Sequence, residues 1–317
     1  MNRRQFLAAL ATAPVGATSM VSIGAMAQTP PTIGVLAQSD EIFDAALFRK
    51  LMQERGWPER AYLLEVRTAQ GRLDRLDELA RELVAAKVTA IVAIFTPSAL
   101  AAKRATRTIP IVMTAGDPVG TGVVSNLARP EGNVTGVDTA GGDLSGKRVE
   151  VLREALPSMR RLALLISPVD PFSKRLTEMT RNAAAPFGIA VDVIPAAADL
   201  EQAMREVAAA GVQGVVVQQG LPQGVFGARL KAARMPAVSG DRQFVAAGGL
   251  LAVSTPFVER YRLVAQNLDK VLKGVAPRDL PVLQTSQIQI LINRASARAL
   301  GLTLPPLLLS RAEEIID

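Results

Sequence analysis

Short apolar stretches alternate with amphipathic stretches along most of this chain, and this alternation restricts the fold more than any other feature. Residues 32–37, 89–95 and 110–114 are largely apolar, whereas residues 41–55 and 73–83 repeat their apolar residues at helical spacing. A strand that is apolar on both faces belongs in a parallel sheet that helices cover on both sides. The pattern therefore predicts an α/β fold.

The same alternation occurs twice, which predicts two lobes of similar build. The expected strands are residues 32–37, 62–66, 89–95 and 110–114 in the first series, and residues 162–166, 190–194, 214–217, 237–238 and 249–253 in the second. A strand-like stretch at residues 133–137 lies between the two series, and another at residues 284–291 follows them. We assign residues 32–138 and 275–317 to lobe 1, residues 139–256 to lobe 2, and residues 257–274 to a helix at the lobe crossover. Two such lobes bind ligands between the carboxyl ends of their strands.

The first 27 residues have the features of an export signal. Arg3 and Arg4 precede a long uncharged stretch that ends in the small-residue cleavage site Ala25-Met26-Ala27. Paired arginines before such a stretch are typical of twin-arginine signals. The alternative is a membrane-anchoring helix, because the stretch approaches spanning length. Pro14 disfavours that alternative, so we expect cleavage after Ala27 and a periplasmic protein.

The composition excludes the commonest catalytic chemistries. The chain contains 0 Cys and 0 His, which leaves no thiol or imidazole catalyst and no Cys/His metal site. It has 36 Lys and Arg against 29 Asp and Glu, and its aromatic residues are only 1 Trp, 2 Tyr and 9 Phe. A mixed surface charge and scarce aromatics disfavour nucleic-acid binding. We expect no catalytic residues, no metal and no cofactor.

One segment is similar to a phosphate-binding loop. Residues 141–147 have the spacing G-x-x-x-x-G-K. The next position must be Ser or Thr to bind magnesium in such a loop, and here it is Arg148. We therefore interpret Gly141 and Gly142 as an interlobe hinge that leads into a helix, and we expect no nucleotide hydrolysis.

Five aspartates follow predicted strands, and two interpretations of them remain open. They are Asp40, Asp117, Asp138, Asp170 and Asp241. Aspartates in such loops contact ligands, but they also cap helices and stabilise turns. No D-x-D-x-D cluster is present, so the sequence does not predict a site for a hard cation.

Several longer blocks of sequence carry a family resemblance. They are residues 101–112, 116–122, 127–136, 144–148, 244–250 and 299–306. With these blocks the chain resembles the ABC transporter substrate-binding protein family related to tryptophan and tyrosine binders, over residues 32–317. The resemblance implies the type 1 periplasmic-binding-protein fold, in which a hinge joins two doubly wound parallel-sheet lobes and a ligand cleft lies between them. It also implies a receptor and not an enzyme.

The resemblance implies a small-molecule solute, an amino acid or a similar compound, that the protein captures by lobe closure. The receptor then delivers this solute to an inner-membrane ABC permease with its ATPase. We expect the receptor to be a monomer. The alternative is a periplasmic sensing protein that presents its ligand to a membrane receptor, and gene neighbourhood distinguishes the two.

Strand ends and the family pattern together give candidate solute contacts in both lobes. They are Gln38, Ser39, Thr96, Ser98, Thr114 and Asp117 in lobe 1, and Ser167, Asp170, Gln218, Gln219 and Asp241 in lobe 2. Hydroxyl and amide groups near helix N-termini suit a carboxylate, and Asp241 is the candidate partner for an ammonium group. Residues 252–255 stand where members of the family often carry an aromatic residue. We therefore expect few aromatics at the cleft and no specificity for aromatic solutes.

Overall fold

The computed structural model describes residues 30–139, 141–196 and 199–317. The expected export signal, residues 1–27, lies outside these described residues. Within the described part, no helix is long and apolar enough to cross a membrane.

Thirteen strands and eleven α-helices alternate along the described chain. The strands are β1 (Thr32–Ala37), β2 (Leu63–Thr68), β3 (Ala90–Ile94), β4 (Ile111–Ala115), β5 (Val134–Asp138), β6 (Arg161–Ile166), β7 (Ala190–Pro195), β8 (Gly214–Val217), β9 (Ala237–Ser239), β10 (Leu251–Ser254), β11 (Leu283–Gln284), β12 (Gln289–Asn293) and β13 (Glu314–Ile316). The helices are α1 (Ala45–Gln53), α2 (Leu76–Ala85), α3 (Phe95–Ala105), α4 (Gly141–Ala155), α5 (Phe172–Ala184), α6 (Leu200–Ala209), α7 (Gln223–Ala232), α8 (Arg242–Ala246), α9 (Phe257–Leu272), α10 (Arg294–Ala299) and α11 (Pro306–Ser310).

Two sheets organise these elements, one in each lobe. The first sheet has the strand order β11-β5-β4-β3-β1-β2, and the second has the order β13-β12-β10-β9-β8-β6-β7. Every pair in the first sheet is parallel. The second sheet is parallel except where β10 pairs with β12. The predicted architecture of two mainly parallel sheets is confirmed.

Helices bury both faces of each sheet, as the apolar strands require. Successive side chains of a strand point to opposite faces. Ile33 and Val35 of β1 therefore pack in one core with Phe48 of α1, whereas Leu36 packs in another core with Leu83 of α2. The second sheet has the same two-core arrangement. Each fully buried aliphatic side chain of this kind stabilises the fold by about 1.5–3 kcal/mol.

The end of the chain belongs mainly to lobe 2, and the assignment of residues 275–317 to lobe 1 is wrong for most of that segment. Only β11 joins the first sheet, where it pairs with β5. The chain then returns to the second sheet, where β12 pairs antiparallel with β10 and β13 pairs with β12. Apolar side chains from this tail, among them Ile292 and Leu308, complete the core of lobe 2. The crossover helix α9 packs on the first sheet and on α1.

The chain crosses between the lobes three times: between β5 and α4, between β10 and α9, and between β11 and β12. Hydrogen bonds tie these crossings together. The Thr285 N–H donates to the carbonyl of Asp138 at 3.3 Å, and the Gln289 amide donates to Ser254 at 3.1 Å. Gly141 and Gly142, the expected hinge, form the start of helix α4 directly after the first crossing, and a hinge role for them stays a prediction.

Candidate functional site

Three adjoining cavities lie where the carboxyl ends of the two sheets face each other. The Arg260 cavity, of about 250 Å³, is lined by Glu41, Asp241, Phe257 and Arg260 among others. The Arg148 cavity, of about 30 Å³, is lined by Thr96, Arg148, Asp170 and Phe172 among others. The Gln38 cavity, of about 480 Å³, is lined by Gln38, Ser39, Gln70 and Ser167 among others. Phe95 and Gln219 line all three cavities, which makes them one continuous cleft between the lobes.

Phe95 occupies the centre of this cleft in an unusual backbone conformation. It joins β3 to α3 with a φ of +67°, which is a strained value for a bulky side chain. Its N–H donates to the Thr114 hydroxyl at 3.0 Å. This bond from the neighbouring strand β4 helps hold the Phe95 ring at the carboxyl edge of the first sheet, where it faces lobe 2.

Arg260 is a buried cation without a bonded partner. Its side chain on α9 is only 6% exposed, and it has no hydrogen bond or ion pair among the described residues. Its guanidinium lies over two rings, 4.9 Å from the centroid of Phe257 and 5.6 Å from that of Phe95. Burial lowers the pKa of Arg260, and the nearby Tyr261 and Asp241 act in the opposite direction. Guanidinium groups pair strongly with carboxylates, and Arg260 has no carboxylate bonded to it among the described residues.

Asp241 lies on the other side of the Arg260 cavity, at the end of β9 in lobe 2. Its Oδ1 accepts the N–H of Gln243 at 2.8 Å and so caps α8. Burial raises the pKa of Asp241, the Gln243 bond and the charge of Arg260 lower it, and Glu41 raises it further. The Asp241 and Arg260 side chains do not form an ion pair, so the cavity separates a carboxylate in one lobe from a guanidinium in the other.

Tyr261 positions a segment that lines the Arg260 cavity. Its hydroxyl accepts the N–H of Asp44 at 3.0 Å and donates to the carbonyl of Ile42 at 3.2 Å. Burial raises the pKa of Tyr261 to about 12, so the phenol is neutral at physiological pH. Ile42 and Asp44 both line the Arg260 cavity, and this phenol therefore ties α9 to the segment that follows β1.

Most of the residues that the sequence suggested as candidate solute contacts line the cleft, in three groups. Asp241 lines the Arg260 and Gln38 cavities, and Gln219 lines all three. Gln38, Ser39 and Ser167 line the Gln38 cavity, and Thr96 and Asp170 line the Arg148 cavity. The remaining candidates, Ser98, Thr114, Asp117 and Gln218, line none of the three.

Three of those remaining residues have clear structural contacts instead, and Thr114 makes its contact by accepting the N–H of Phe95. The Gln218 amide donates to Asp170 at 2.8 Å and its carbonyl accepts the N–H of Ser167 at 2.8 Å. Asp117 reaches across to lobe 2, where its Oδ2 accepts from Nε of Arg175 at 2.6 Å. The hydroxyl of Ser98 is buried without a partner among the described residues.

The expectation of a cleft with few aromatics is wrong. Phe95 and Phe257 line the Arg260 cavity, and Phe95 and Phe172 line the Arg148 cavity. These rings come from lobe 1, from α9 and from the start of α5 in lobe 2. Residues 252–255 do lack aromatics, but rings from other elements occupy the cleft.

Sequence reasoning also missed Arg260 and Arg148, two buried arginines that line the cleft. Arg260 precedes Val264 and Leu268 at intervals of four, and both of these side chains are buried. That spacing puts a charged residue on the buried face of an amphipathic helix, a signal that was present in the sequence. Arg148 was interpreted only as the residue that breaks a phosphate-binding motif.

Comparison with known proteins shows where this fold and cleft belong. A family model described as ABC transporter substrate binding protein matches residues 46–316. The chain belongs to this family. Its members bind solutes as components of ABC transporters, so a small-molecule ligand and an ABC transporter partner follow from membership.

Relatives of this substrate-binding protein include a tyrosine-binding protein of Clostridioides difficile (strain R20291). The two are 25% identical over 266 residues, which cover 80% of this chain and 75% of that protein. A conserved domain protein from Vibrio cholerae has a TM-score of 0.84 at 25% identity, with 90% of this chain and 100% of that chain covered.

A second solved structure, an ABC domain from Streptococcus pneumonia in complex with L-Trp, has a TM-score of 0.81. It is 24% identical, with 91% of this chain and 100% of that chain covered. The type 1 periplasmic-binding-protein fold expected from the sequence is confirmed.

Proposed function

We propose that this substrate-binding protein captures a free amino acid between its lobes, in the Arg260 cavity. The observation that carries the proposal is the buried Arg260, which has no bonded partner and faces Asp241 across that cavity. A zwitterion supplies both missing partners at once, because its carboxylate pairs with the guanidinium and its ammonium pairs with the aspartate. Binding of this kind neutralises the buried charge of Arg260 and the partly buried charge of Asp241, and the desolvation of such charges is otherwise costly.

The walls of the cavity favour a solute with an apolar or aromatic side chain. Phe95, Phe257 and Ile42 line the Arg260 cavity beside its charged groups. Aromatic rings bind other rings in offset or edge-to-face arrangements and contribute about 0.5–1.5 kcal/mol beyond the area they bury. The tyrosine-binding relative supports an amino acid as the class of solute.

The charged groups also give a mechanism for closure. Arg260 lies on α9, which packs on the first sheet, and Asp241 follows β9 of the second sheet. A solute that contacts both groups binds the closed state more tightly than the open one, and only such a difference in affinity drives closure. The three crossings supply the hinge about which the lobes move.

The proposal also includes the location of the protein and the delivery of its amino acid. An export signal of the twin-arginine type at residues 1–27, cleaved after Ala27, carries the protein to the periplasm. There it acts as a monomer and delivers its amino acid to an inner-membrane permease with its ATPase.

Replacing Arg3 and Arg4 with Lys should leave precursor in the cytoplasm, and an unchanged periplasmic yield would reject this route.

Thermal-shift screening of the purified protein against the twenty L-amino acids tests the function. A ligand at a hundredfold over its Kd adds roughly 2.7 kcal/mol to the free energy of unfolding. Titration calorimetry of L-tyrosine against tyramine and 3-(4-hydroxyphenyl)propanoate then tests recognition of the zwitterion, because the two analogues lack the carboxylate and the ammonium respectively. Both analogues should bind at least tenfold more weakly. Stabilisation by none of the amino acids would contradict the proposal.

A further inference from the structure

The Gln38 cavity contains a buried amide without a bonded partner. Gln38 directly follows β1 in lobe 1 and is 3% exposed. Its side-chain amide has two N–H donors and a carbonyl acceptor, and none of them has a hydrogen bond among the described residues. Oε1 lies beside the backbone of lobe 2, because a Cβ placed on Gly220 would be 3.2 Å from it. Both residues line the cavity, so this amide is available to a ligand between the lobes.

A second buried polar group lines the same cavity from lobe 2. Ser167 directly follows β6 and is 6% exposed. Its backbone is held on both sides, since its N–H donates to Gln218 at 2.8 Å and its carbonyl accepts from the hydroxyl of Ser173. Its own hydroxyl has no hydrogen bond to any residue that the structure describes. A buried polar group without a partner reduces stability, and a ligand bonded to Ser167 would remove that loss.

The hydrogen-bonding capacity of this pair selects a carboxamide. An ammonium has only donors and would leave the N–H groups of Gln38 unpaired, whereas a carboxylate has only acceptors and would leave Oε1 unpaired. Asp40 and Glu41, which also line the cavity, would repel a carboxylate. A hydroxyl has a single hydrogen. A carboxamide carries N–H and C=O groups side by side, so it bonds both halves of the Gln38 amide at once and keeps a further donor and acceptor for Ser167.

The Arg260 and Gln38 cavities adjoin, since Phe95 and Asp241 line both. An amino acid whose ammonium pairs with Asp241 can therefore extend its side chain past the Phe95 ring into the Gln38 cavity. We propose that Gln38 and Ser167 bind a carboxamide at the end of that side chain. This inference rests on the proposed function, in which the charged amino and carboxylate groups pair with charged side chains in the Arg260 cavity. Among the standard amino acids, asparagine and glutamine carry a carboxamide.

Calorimetric titration with two matched sets of ligands tests the inference. L-glutamine is compared with L-glutamate and L-methionine, and L-asparagine is compared with L-aspartate and L-leucine. In each set the carboxamide is replaced by a carboxylate or by an apolar group of similar size. Sites that bond a polar group of the substrate reject the analogue without it by large factors. We expect at least one of the two carboxamide amino acids to bind at least a hundredfold more tightly than both of its counterparts.

Substitution of the two side chains tests where the carboxamide binds. In Gln38→Met and in Ser167→Ala the preference over the apolar counterpart should fall below tenfold, while the affinity for that counterpart changes less than tenfold. Both variants should keep their melting temperature, because neither side chain bonds to another described residue. Gln53→Met makes the same chemical change at an exposed position of α1 that lines none of the three cavities, and it should keep the full preference.

The outcomes separate the inference from the function on which it rests. If another amino acid binds and neither carboxamide amino acid is preferred over its counterparts, the carboxamide site is overturned and the amino-acid receptor stands. Tighter binding of L-lysine or L-arginine than of both carboxamide amino acids would assign the cavity to a cation and also overturn it. A hundredfold preference that survives both substitutions would do the same. If no amino acid binds, both proposals fail.

Discussion

Asp241 has two contacts in the structure, and one substitution separates them. It caps α8 through the N–H of Gln243 and faces the Arg260 cavity with its charge. Asn caps helices as well as Asp does, so Asp241→Asn should keep the free energy of unfolding within about 1 kcal/mol. Loss of the charge leaves a buried ammonium unpaired, which should weaken amino-acid binding by about 2–5 kcal/mol. Calorimetric titration and thermal melting of the same variant measure both effects.

Asp199→Asn provides the matched control. Asp199 caps α6 through the N–H of Gln202 at 2.8 Å, but it lines none of the three cavities. Its substitution should leave the affinity unchanged. Unchanged affinity in Asp241→Asn as well would remove Asp241 from the binding site.

Asp170 should make stability depend on pH. Burial raises its pKa from 3.8 to about 6, so the protonated carboxyl contributes stability that is fully present below the unfolded pKa. That contribution is lost as pH rises through the folded pKa, and it is at most about 3 kcal/mol. Asp170→Asn has no such titration. Its free energy of unfolding relative to the parent should therefore rise between about pH 4 and pH 7, as denaturant titrations would show; a constant difference would contradict this.

At the residue scale, the sequence predicted the positions of polar loop residues better than their roles. Asp241, Gln219 and Gln38 follow strands, and parallel strands bring their carboxyl ends together, so their place in the cleft could be predicted. Asp117 follows a strand in the same way but pairs with Arg175, a partner from the other lobe. The sequence pattern does not show which residue of the other lobe pairs with this aspartate.

At the scale of elements, the interlobe ion pair joins the loop after β4 to α5. The bond between Asp117 and Arg175 is 2.6 Å long, and both side chains are partly exposed. Exposed pairs contribute about 0–1 kcal/mol, so Arg175→Ala should weaken amino-acid binding by less than tenfold by favouring the open state. Added salt should reduce the difference between the variant and the parent, because salt screens exposed charges.

Arg161→Ala is the control for this prediction. Arg161 pairs with Asp192 at 2.7 Å, and both residues belong to lobe 2. Its loss should leave the affinity unchanged in titrations at the same salt concentrations. An affinity for Arg175→Ala that equals that of Arg161→Ala and of the parent would contradict a role for the pair in closure.

The strands could be predicted because they are short apolar stretches, but their sheet membership could not always be inferred. Residues 284–291 formed one expected strand, whereas the structure divides this region into β11 in the first sheet and β12 in the second. Alternation of side chains specifies which residues share a face, and it does not specify the neighbouring strand. The antiparallel pairing of β12 with β10 depends on a return of the chain between lobes.

At the scale of the whole molecule, the account requires the two lobes to approach each other when the solute binds. Arg260 and Asp241 lie on elements of different lobes, so neither lobe alone forms the site. The same arrangement explains why the sequence did not reveal the cavities. Phe95, Phe257 and Arg260 are far from Asp241 along the chain or lie on different elements, and only the packing of two sheets brings them together.

Distance measurement across the cleft tests lobe closure most directly. The chain contains no cysteine, so Val119→Cys and Val169→Cys introduce two unique positions for spin labels. These residues follow β4 and β6, on different lobes, and are 43% and 67% exposed. Double electron–electron resonance should show a longer or broader distance distribution without ligand, and a single short distance when L-tyrosine saturates the site. A distribution that stays the same while calorimetry shows the site to be full would contradict closure around the solute.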